Sequence, residues 1–364
     1  MNNEAKDEKR MVTVEEFHDL FHKVRTEIGK VVVGQERVVR HILGAAFAGG
    51  HALLRGAPGL GRTLLVQTIA DVLGYKFGRI QFTPDLLPTD ITGTEVLEHD
   101  MATGDRHFRF FEGPVFANLV LADEINRAPA RTQAALLEVM QERQITVAGQ
   151  THYLPSPFML IATENTVDQE GVFALGEAQV DRFLIMVEQD YPSDGEERDI
   201  LGRTTGSMKT RVDAVVDPET VLAMQALVRE VPVTPSVKDF AVHLVRATRP
   251  GEEGADDSSA TIRLGASPRA SQALIVLAKV MALAGGRRHV TRQDIASVAE
   301  PVLAHRLLIG FRAQAQGETY HDILPRLLKS ASERHLPSIS RWIREVLTSP
   351  RHFSGATIEK AQAS

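Results

Sequence analysis

The amino-acid sequence predicts an α/β protein in which a central parallel sheet is flanked by helices and followed by a helical domain. Three observations predict it. Short apolar runs alternate with helical patterns from residue 51 onward, a glycine-rich loop joins the first run to a helix, and strand signals largely cease after Tyr191 while helical ones continue. Alternation of this kind yields parallel strands joined by crossover helices on both faces.

In chain order, residues 1–14 are mostly polar and are expected to be mobile. Phe17, Leu20, Phe21, Val24 and Ile28 then recur at spacings of three and four, which predicts an amphipathic helix. Val31-Val32-Val33-Gly34-Gln35 breaks the pattern, and a helix resumes over 38–48. Ala52-Leu53-Leu54 is the first strand; a helix over 63–73, a strand at Leu119-Val120-Leu121, a helix over 131–141 and a strand at Phe158-Met159-Leu160-Ile161 follow. Two polar segments with alternating pattern, 95–111 and 144–153, read as hairpins with turns at Thr103-Gly104-Asp105 and Ala148-Gly149-Gln150. The core is thus expected over 15–192, a linker over 193–235, a helical lid over 236–335 and a loose tail over 336–364. Within the helical part, Lys279 interrupts the apolar residues 273–284, too few to span a membrane, so they predict a buried helix. Thr291 is expected to cap a helix with Asp294 in its first turn. Residues 250–259, rich in Gly, Glu, Asp and Ser, predict a solvated loop.

A chain of 364 residues, 43% hydrophobic and 24% charged, has the composition of a globular protein with room for two packed units. Its net charge of -6 offers no general attraction for nucleic acid. The absence of cysteine removes disulfides, thiolate metal sites and cysteine nucleophiles. With no cysteine among its residues and no Gly-x-Ser-x-Gly elbow, the sequence indicates neither a transition-metal site nor a hydrolase triad. A charged amino terminus stands where a secretory signal would need an apolar stretch, and no long apolar run follows; a cytoplasmic location is expected.

The chemistry begins at Gly56-Ala57-Pro58-Gly59-Leu60-Gly61-Arg62-Thr63, with Leu64 next in the helix it opens. This fits the phosphate-loop pattern G-x-x-x-x-G-K-[ST] at every fixed position except the lysine. The glycines let successive amides turn inward, and the helix amino terminus adds a field that favours phosphate. Thr63 supplies the hydroxyl expected on magnesium. Arg62 keeps the charge of the missing lysine, but its planar guanidinium is wider than an ammonium and cannot be assumed to sit between the terminal phosphates. Taken alone, the loop is compatible with a phosphate site and with an ordinary strand-to-helix turn. About sixty residues on, an apolar strand ends in Asp123-Glu124, reasonable spacing for the acidic strand of a phosphate-loop fold. Asp123 would then hold magnesium and Glu124 polarise the attacking water; the alternative is two acids capping a strand end. A third strand ends at Glu164-Asn165, where a polar side chain can reach the same water.

With these residues, Leu121-Ala122-Asp123-Glu124-Ile125-Asn126-Arg127-Ala128-Pro129, Thr132-Gln133-Ala134-Ala135-Leu136-Leu137-Glu138, Glu177-Ala178-Gln179-Val180-Asp181-Arg182-Phe183 and residues 81–93 together resemble the MoxR family of AAA+ ATPases. The resemblance spans residues 15–335. It implies an AAA+ phosphate-loop core with a helical lid, ATP or ADP with magnesium as ligands, and a ring homo-oligomer, expected as a hexamer. Asn165 matches the sensor 1 asparagine, Arg182 the arginine finger that reaches a neighbour's nucleotide, and Arg269, in Ser267-Pro268-Arg269-Ala270, sensor 2. Val33-Gly34-Gln35 matches the segment near adenine. The two hairpins are similar to the helix 2 insert and the pre-sensor 1 hairpin, which line the pore and touch clients. A client with a von Willebrand factor A domain is implied as partner. Where the family usually shows Lys, Pro and Pro, this chain has Arg62, Thr166 and Gly176, and of these only Arg62 bears on catalysis.

The leading expectation is ATP hydrolysis coupled to client remodelling. A nucleotide-binding platform without turnover is the alternative that Arg62 raises. A nucleic-acid translocase is the third, against which the hairpins offer little cationic charge beyond Arg106, His107, Arg109 and His152.

Overall fold

The computed structural model of the chain describes residues 10–99, 106–165, 172–205, 210–251 and 261–333. The expected mobile amino terminus, the turn at Thr103-Gly104-Asp105, Thr166, most of the loop over 250–259 and the tail over 336–364 lie outside the described residues. Two helices open the chain, α1 (Val14–Gly29), capped by the Thr13 hydroxyl, and α2 (Glu36–Ala48). The core then follows as β1 (Ala52–Gly56), α3 (Arg62–Val72), β2 (Phe77–Gln81), α4 (Pro88–Thr92), the hairpin of β3 (Gly93–His99) and β4 (Arg106–Glu112), and β5 (Leu119–Asp123). It continues with α5 (Ala130–Glu142), the hairpin of β6 (Gln144–Val147) and β7 (Gln150–Tyr153), β8 (Met159–Asn165), α6 (Glu177–Val180) and β9 (Ile185–Gln189).

Five of these strands form one parallel sheet in the order β2-β5-β8-β1-β9. Two of the five are not visible as apolar runs. β2 is Phe-Gly-Arg-Ile-Gln at the edge of the sheet, where only Ile80 is fully buried. β9 directly follows Arg182-Phe183 and is masked by its motif neighbour. The alternation of side chains along a strand supplies both faces of the sheet with apolar groups. Leu54, Leu119, Leu121, Ile161, Ile185 and Val187 enter one core with α1, α2 and α3; Leu53, Val120, Leu160, Ala162 and Met186 enter the other with α5 and the bases of the hairpins.

The remainder is mainly helical: α7 (Asp194–Thr204), α8 (Pro218–Glu230), α9 (Pro235–Arg246), α10 (Pro268–Ala284), α11 (Arg292–Leu303), α12 (Phe311–Ala315) and α13 (Tyr320–Glu333), with a short antiparallel pair β10 (Ile262–Leu264) and β11 (Leu308–Ile309). Residues 193–235, expected as a linker, hold α7 and α8, and α8 buries Val221, Met224 and Val228 in the same core as α2. Residues 273–284 are the buried body of α10, and Thr291 with Asp294 forms a reciprocal cap on α11, both as the sequence predicts. The lid therefore shares one continuous core with the sheet: Phe17 and Phe21 of α1 belong to the cluster that includes Leu274 and Leu277 of α10. No helix among the described residues is long and apolar enough to cross a membrane.

Candidate functional site

Register brings the candidate residues into one row. Across the carboxyl edge of the sheet, Gln81 lies opposite Asp123, Gly56 opposite Asn165 and Gly56 opposite Gln189. Ligands of open parallel sheets sit at this edge. Here the chain leaves β1 through Gly56, Gly59 and Gly61, at φ of 152°, 85° and 72°. A side chain at Gly56 would strike the Gln189 carbonyl at 2.6 Å, whereas Gly59 and Gly61 face open space. The loop thus wraps a concavity at the amino terminus of α3, where its unpaired amides and the helix dipole favour an anion. Ala57 and Thr63 are half-buried and Pro58 and Leu64 exposed around it.

Arg62 does not extend into that concavity. Its guanidinium folds under the loop, donating from Nε to Gln189 Oε1 (3.0 Å), from Nη1 to the Glu164 carbonyl (3.4 Å) and from Nη2 to the Ala57 carbonyl (3.1 Å). Burial pushes its pKa down, opposed by the charges of Asp123 and Glu124. Gln189 passes the contact onward, donating to Gln35 Oε1 (2.8 Å), and Gln35 donates to the Leu60 carbonyl (3.1 Å). Neither glutamine stands out in the sequence as a partner of Arg62. Only the pairing of β9 with β1 places Gln189 there.

At the acidic edge, the Thr163 hydroxyl donates to Asp123 Oδ1 (2.9 Å) and accepts the Glu124 amide (2.8 Å). Glu124 is held at φ 58° and ψ 51°, a left-handed conformation that costs a non-glycine residue roughly 1 kcal/mol or more. Gln81 (3.2 Å) and Arg127 (3.1 Å) reach the Glu124 carboxylate, and Arg79 (2.8 Å) reaches Asp123. Asn126 fixes the backbone of Asn165 by donating to its carbonyl (3.1 Å). Gln133 ties the loop after β5 to the segment after β8 by donating to the carbonyls of Ile125, Ala128 and Phe173. Gln81, Asn126 and Gln133 sit inside the motifs quoted above; Thr163 and Arg79 become visible only in the folded sheet.

Beside the loop a pocket is lined by Val31, Val33, Leu64, Pro192 and Ile200, with Gly34 and Gln35 at its wall. Its apolar sides suit a flat base. Helix α7 closes it, because Arg203 at its carboxyl end donates to the carbonyls of Gly29 (2.9 Å) and Lys30 (2.7 Å) at the end of α1. The hydroxyl of Thr63 and the carboxylate of Asp123 are hard oxygen donors of the kind magnesium takes.

Arg182 and Arg269 are not part of this row. They line a second pocket with Gly49, Gly50 and His51, at the amino end of β1 and β9, while the phosphate loop leaves the carboxyl end. Four steps along a strand separate the two by about 13 Å or more. Arg269 is exposed and lies 3.8 Å from Asp181. Asp181 pairs not with its neighbour Arg182 but with Arg306 and Ser267.

A glycine-rich loop on a helix amino terminus, an acidic residue pair closing the neighbouring strand and a helical domain packed on the sheet define a nucleotide-binding core of the AAA type with its lid. Comparison with known proteins agrees. Residues 51–185 match the ATPase family associated with various cellular activities (AAA), and residues 254–327 match the AAA lid domain. The chain is 42% identical over 315 residues to chaperone MoxR1 of Mycobacterium tuberculosis, covering 86% of this chain and 81% of that one. It is 30% identical over 336 residues to protein MoxR of Paracoccus denitrificans, covering 87% and 96%. The crystal structure of a putative ATPase from Cytophaga hutchinsonii superimposes with a TM-score of 0.80 at 39% identity, over 87% of this chain and 96% of that one. The chain belongs to the MoxR family of AAA ATPases.

Proposed function

We propose that the chain binds and hydrolyses ATP as one subunit of a ring and uses the cycle to remodel a client protein. The observation that carries this reading is the row formed by the phosphate loop, Asp123, Glu124 and Asn165 at one edge of the sheet. ATP would lie with its base in the pocket of Val31, Val33 and Ile200 and its phosphates on the amides of 57–64. Thr63 and Asp123 would hold magnesium, which when bound neutralises charge on the phosphates. Glu124 takes a proton from water as the water oxygen bonds to the terminal phosphorus and the bond to the bridging oxygen breaks; Asn165 orients that water.

AAA proteins typically form rings, and the distance between Arg182 and the phosphate loop of the same chain supports donation to a neighbour's nucleotide. Arg269 on the same side would act with it, so both arginines serve the adjacent site rather than their own. A hexamer is the expected ring. The hairpins present Leu97, Phe108, Phe111 and Tyr153 to solvent, and Arg109 is paired with Glu98. Exposed apolar side chains suit a protein client, such as one with a von Willebrand factor A domain, better than a nucleic-acid backbone.

One observation favours a second reading, a nucleotide-binding platform without turnover: the Arg62 guanidinium is spent on protein acceptors. Phosphate release by purified wild type, Glu124→Gln and Arg62→Lys separates the two. Release by wild type at least ten-fold above Glu124→Gln supports the motor. Wild-type release at the Glu124→Gln background, with turnover gained in Arg62→Lys, supports the platform.

A further inference from the structure

Arg306 is the most heavily committed side chain among the described residues. Its side chain is only 3% exposed, and all five N–H groups of a guanidinium find an acceptor. Nε donates to Asp181 Oδ1 (2.8 Å), Nη2 to the carbonyls of Asp181 (3.2 Å) and Phe183 (2.6 Å), and Nη1 to the carbonyls of Leu184 (3.2 Å) and Val302. Four of the five acceptors lie in residues 181–184 and bracket Arg182. Ser267, at the start of α10, adds a hydrogen bond to the second Asp181 oxygen (2.9 Å), and His305 Nε2 lies 3.2 Å from the Phe183 carbonyl. By contrast, the Arg182 guanidinium makes no hydrogen bond or ion pair among the described residues. A buried ion pair is a poor device for stability alone, since desolvation offsets most of the attraction. A planar fork with five fixed donors is a good device for holding a backbone in one shape.

We propose that Arg306, braced by Asp181, is a positioning residue for Arg182: the lid reaches under residues 181–184, fixes their carbonyls, and aims Arg182 out of the subunit. The inference rests on the reading of Arg182 as a group donated to the neighbouring subunit's nucleotide. It also supplies a route by which a lid movement would move the arginine, because Arg306 follows α11 directly and Ser267 caps α10.

The test uses the full chain with Arg306→Met, Arg306→Lys, Arg182→Ala and Glu124→Gln, alone and in mixed rings. Arg306→Met should lower kcat at least ten-fold while the Kd for a fluorescent ATP analogue stays within two-fold of wild type. Mixing Arg306→Met with Glu124→Gln subunits, which have no turnover of their own but carry an intact arginine, should restore several-fold activity; mixing it with Arg182→Ala should not. Should Arg306→Met fail to fold, Arg306→Lys carries the same comparison with a charge but no fork. Wild-type turnover in the Arg306 variants while Arg182→Ala is inactive overturns the positioning role alone. So does a loss that Glu124→Gln subunits cannot restore. Wild-type turnover in Arg182→Ala overturns the reading of Arg182 and this inference with it. If wild-type release is too low to follow, the set is repeated in the Arg62→Lys background, and absence of turnover there also overturns both.

Discussion

The Nε–H of Arg62 donates to Oε1 of Gln189 across 3.0 Å, joining the phosphate loop to the strand on the far side of β1. Gln189 is 5% exposed, so nothing in solvent replaces it. A buried charged donor left without its acceptor costs about 1–3 kcal/mol or more. Gln189→Leu should therefore lower the free energy of urea unfolding by that amount. In an Arg62→Lys background the penalty should shrink, because the ammonium has no Nε and can turn to the Ala57 and Glu164 carbonyls. A double-mutant cycle with a coupling below about 0.5 kcal/mol would show that the two residues are neighbours without being partners.

How much of this was legible in the sequence depends on the range over which each interaction acts. The helices of the core, the two hairpins, the Thr291 cap and the phosphate loop follow from local periodicity and turn chemistry, and the structure has them where those signals lie. β2 escaped because Arg79 and Gln81 occupy its exposed side; an edge strand needs apolar residues on one face only. Asp123, Glu124 and Asn165 were readable because each ends an apolar strand. Gln189, Thr163 and Arg306 were not, since their partners lie 127, 40 and 125 residues away and become neighbours only through strand order and lid packing. Motif reading also left open where Arg269 stands, and the structure places it with Arg182 rather than with the phosphate loop.

Thr163 joins both acidic residues through one oxygen, so Thr163→Val tests whether their geometry matters. The change conserves shape, removes the hydrogen bond to Asp123 and leaves the Glu124 amide without an acceptor. That amide belongs to a residue already in a left-handed conformation, which the hydroxyl helps to hold. Phosphate release should fall at least ten-fold, about 1.4 kcal/mol in the barrier. The Kd for ATP should change less than three-fold. Unchanged turnover would place Thr163 outside the working site.

Acid should destabilise the fold through buried histidines. Burial, with a lesser push from Arg143, lowers the pKa of His51 to about 3, and burial with the charges of Arg40 and Arg37 lowers that of His41 to about 4. In the unfolded chain both titrate near 6.5, so below that pH the unfolded state binds more protons and stability falls until the folded values are reached. Between pH 7 and pH 5 each contributes a loss of about 2 kcal/mol. Urea unfolding at the two pH values should show it. Burial likewise pushes His305 well below the usual histidine range, so it adds to the same loss. His51 Nδ1 accepts the Leu160 amide at 3.0 Å, a position an asparagine oxygen can take, so His51→Asn should fold and lose only its own share of the pH dependence, about 2 kcal/mol. An undiminished slope in that variant would assign the acid sensitivity to other groups.

Nucleotide affinity should depend on a residue that touches no motif. Arg203 lines the pocket beside the phosphate loop and, from the last turn of α7, donates to the carbonyls of Gly29 and Lys30 where α1 ends. Those carbonyls are among the orphan acceptors of a helix terminus, and a cation there also meets the negative end of the helix dipole. The contact ties α7 to α1 across the pocket, so Ile200 and Pro192 stay over the space where a base would lie. Arg203→Ala frees α7 at its carboxyl end while leaving the phosphate loop, Asp123 and Glu124 untouched. Titration with a fluorescent ATP analogue should then show a Kd raised about ten-fold, equal to about 1.4 kcal/mol. At saturating ATP the rate of phosphate release should stay near wild type, because the groups that act on the terminal phosphate are unchanged. A fall in that saturated rate with no change in Kd would move Arg203 from closing the base pocket to the reaction itself.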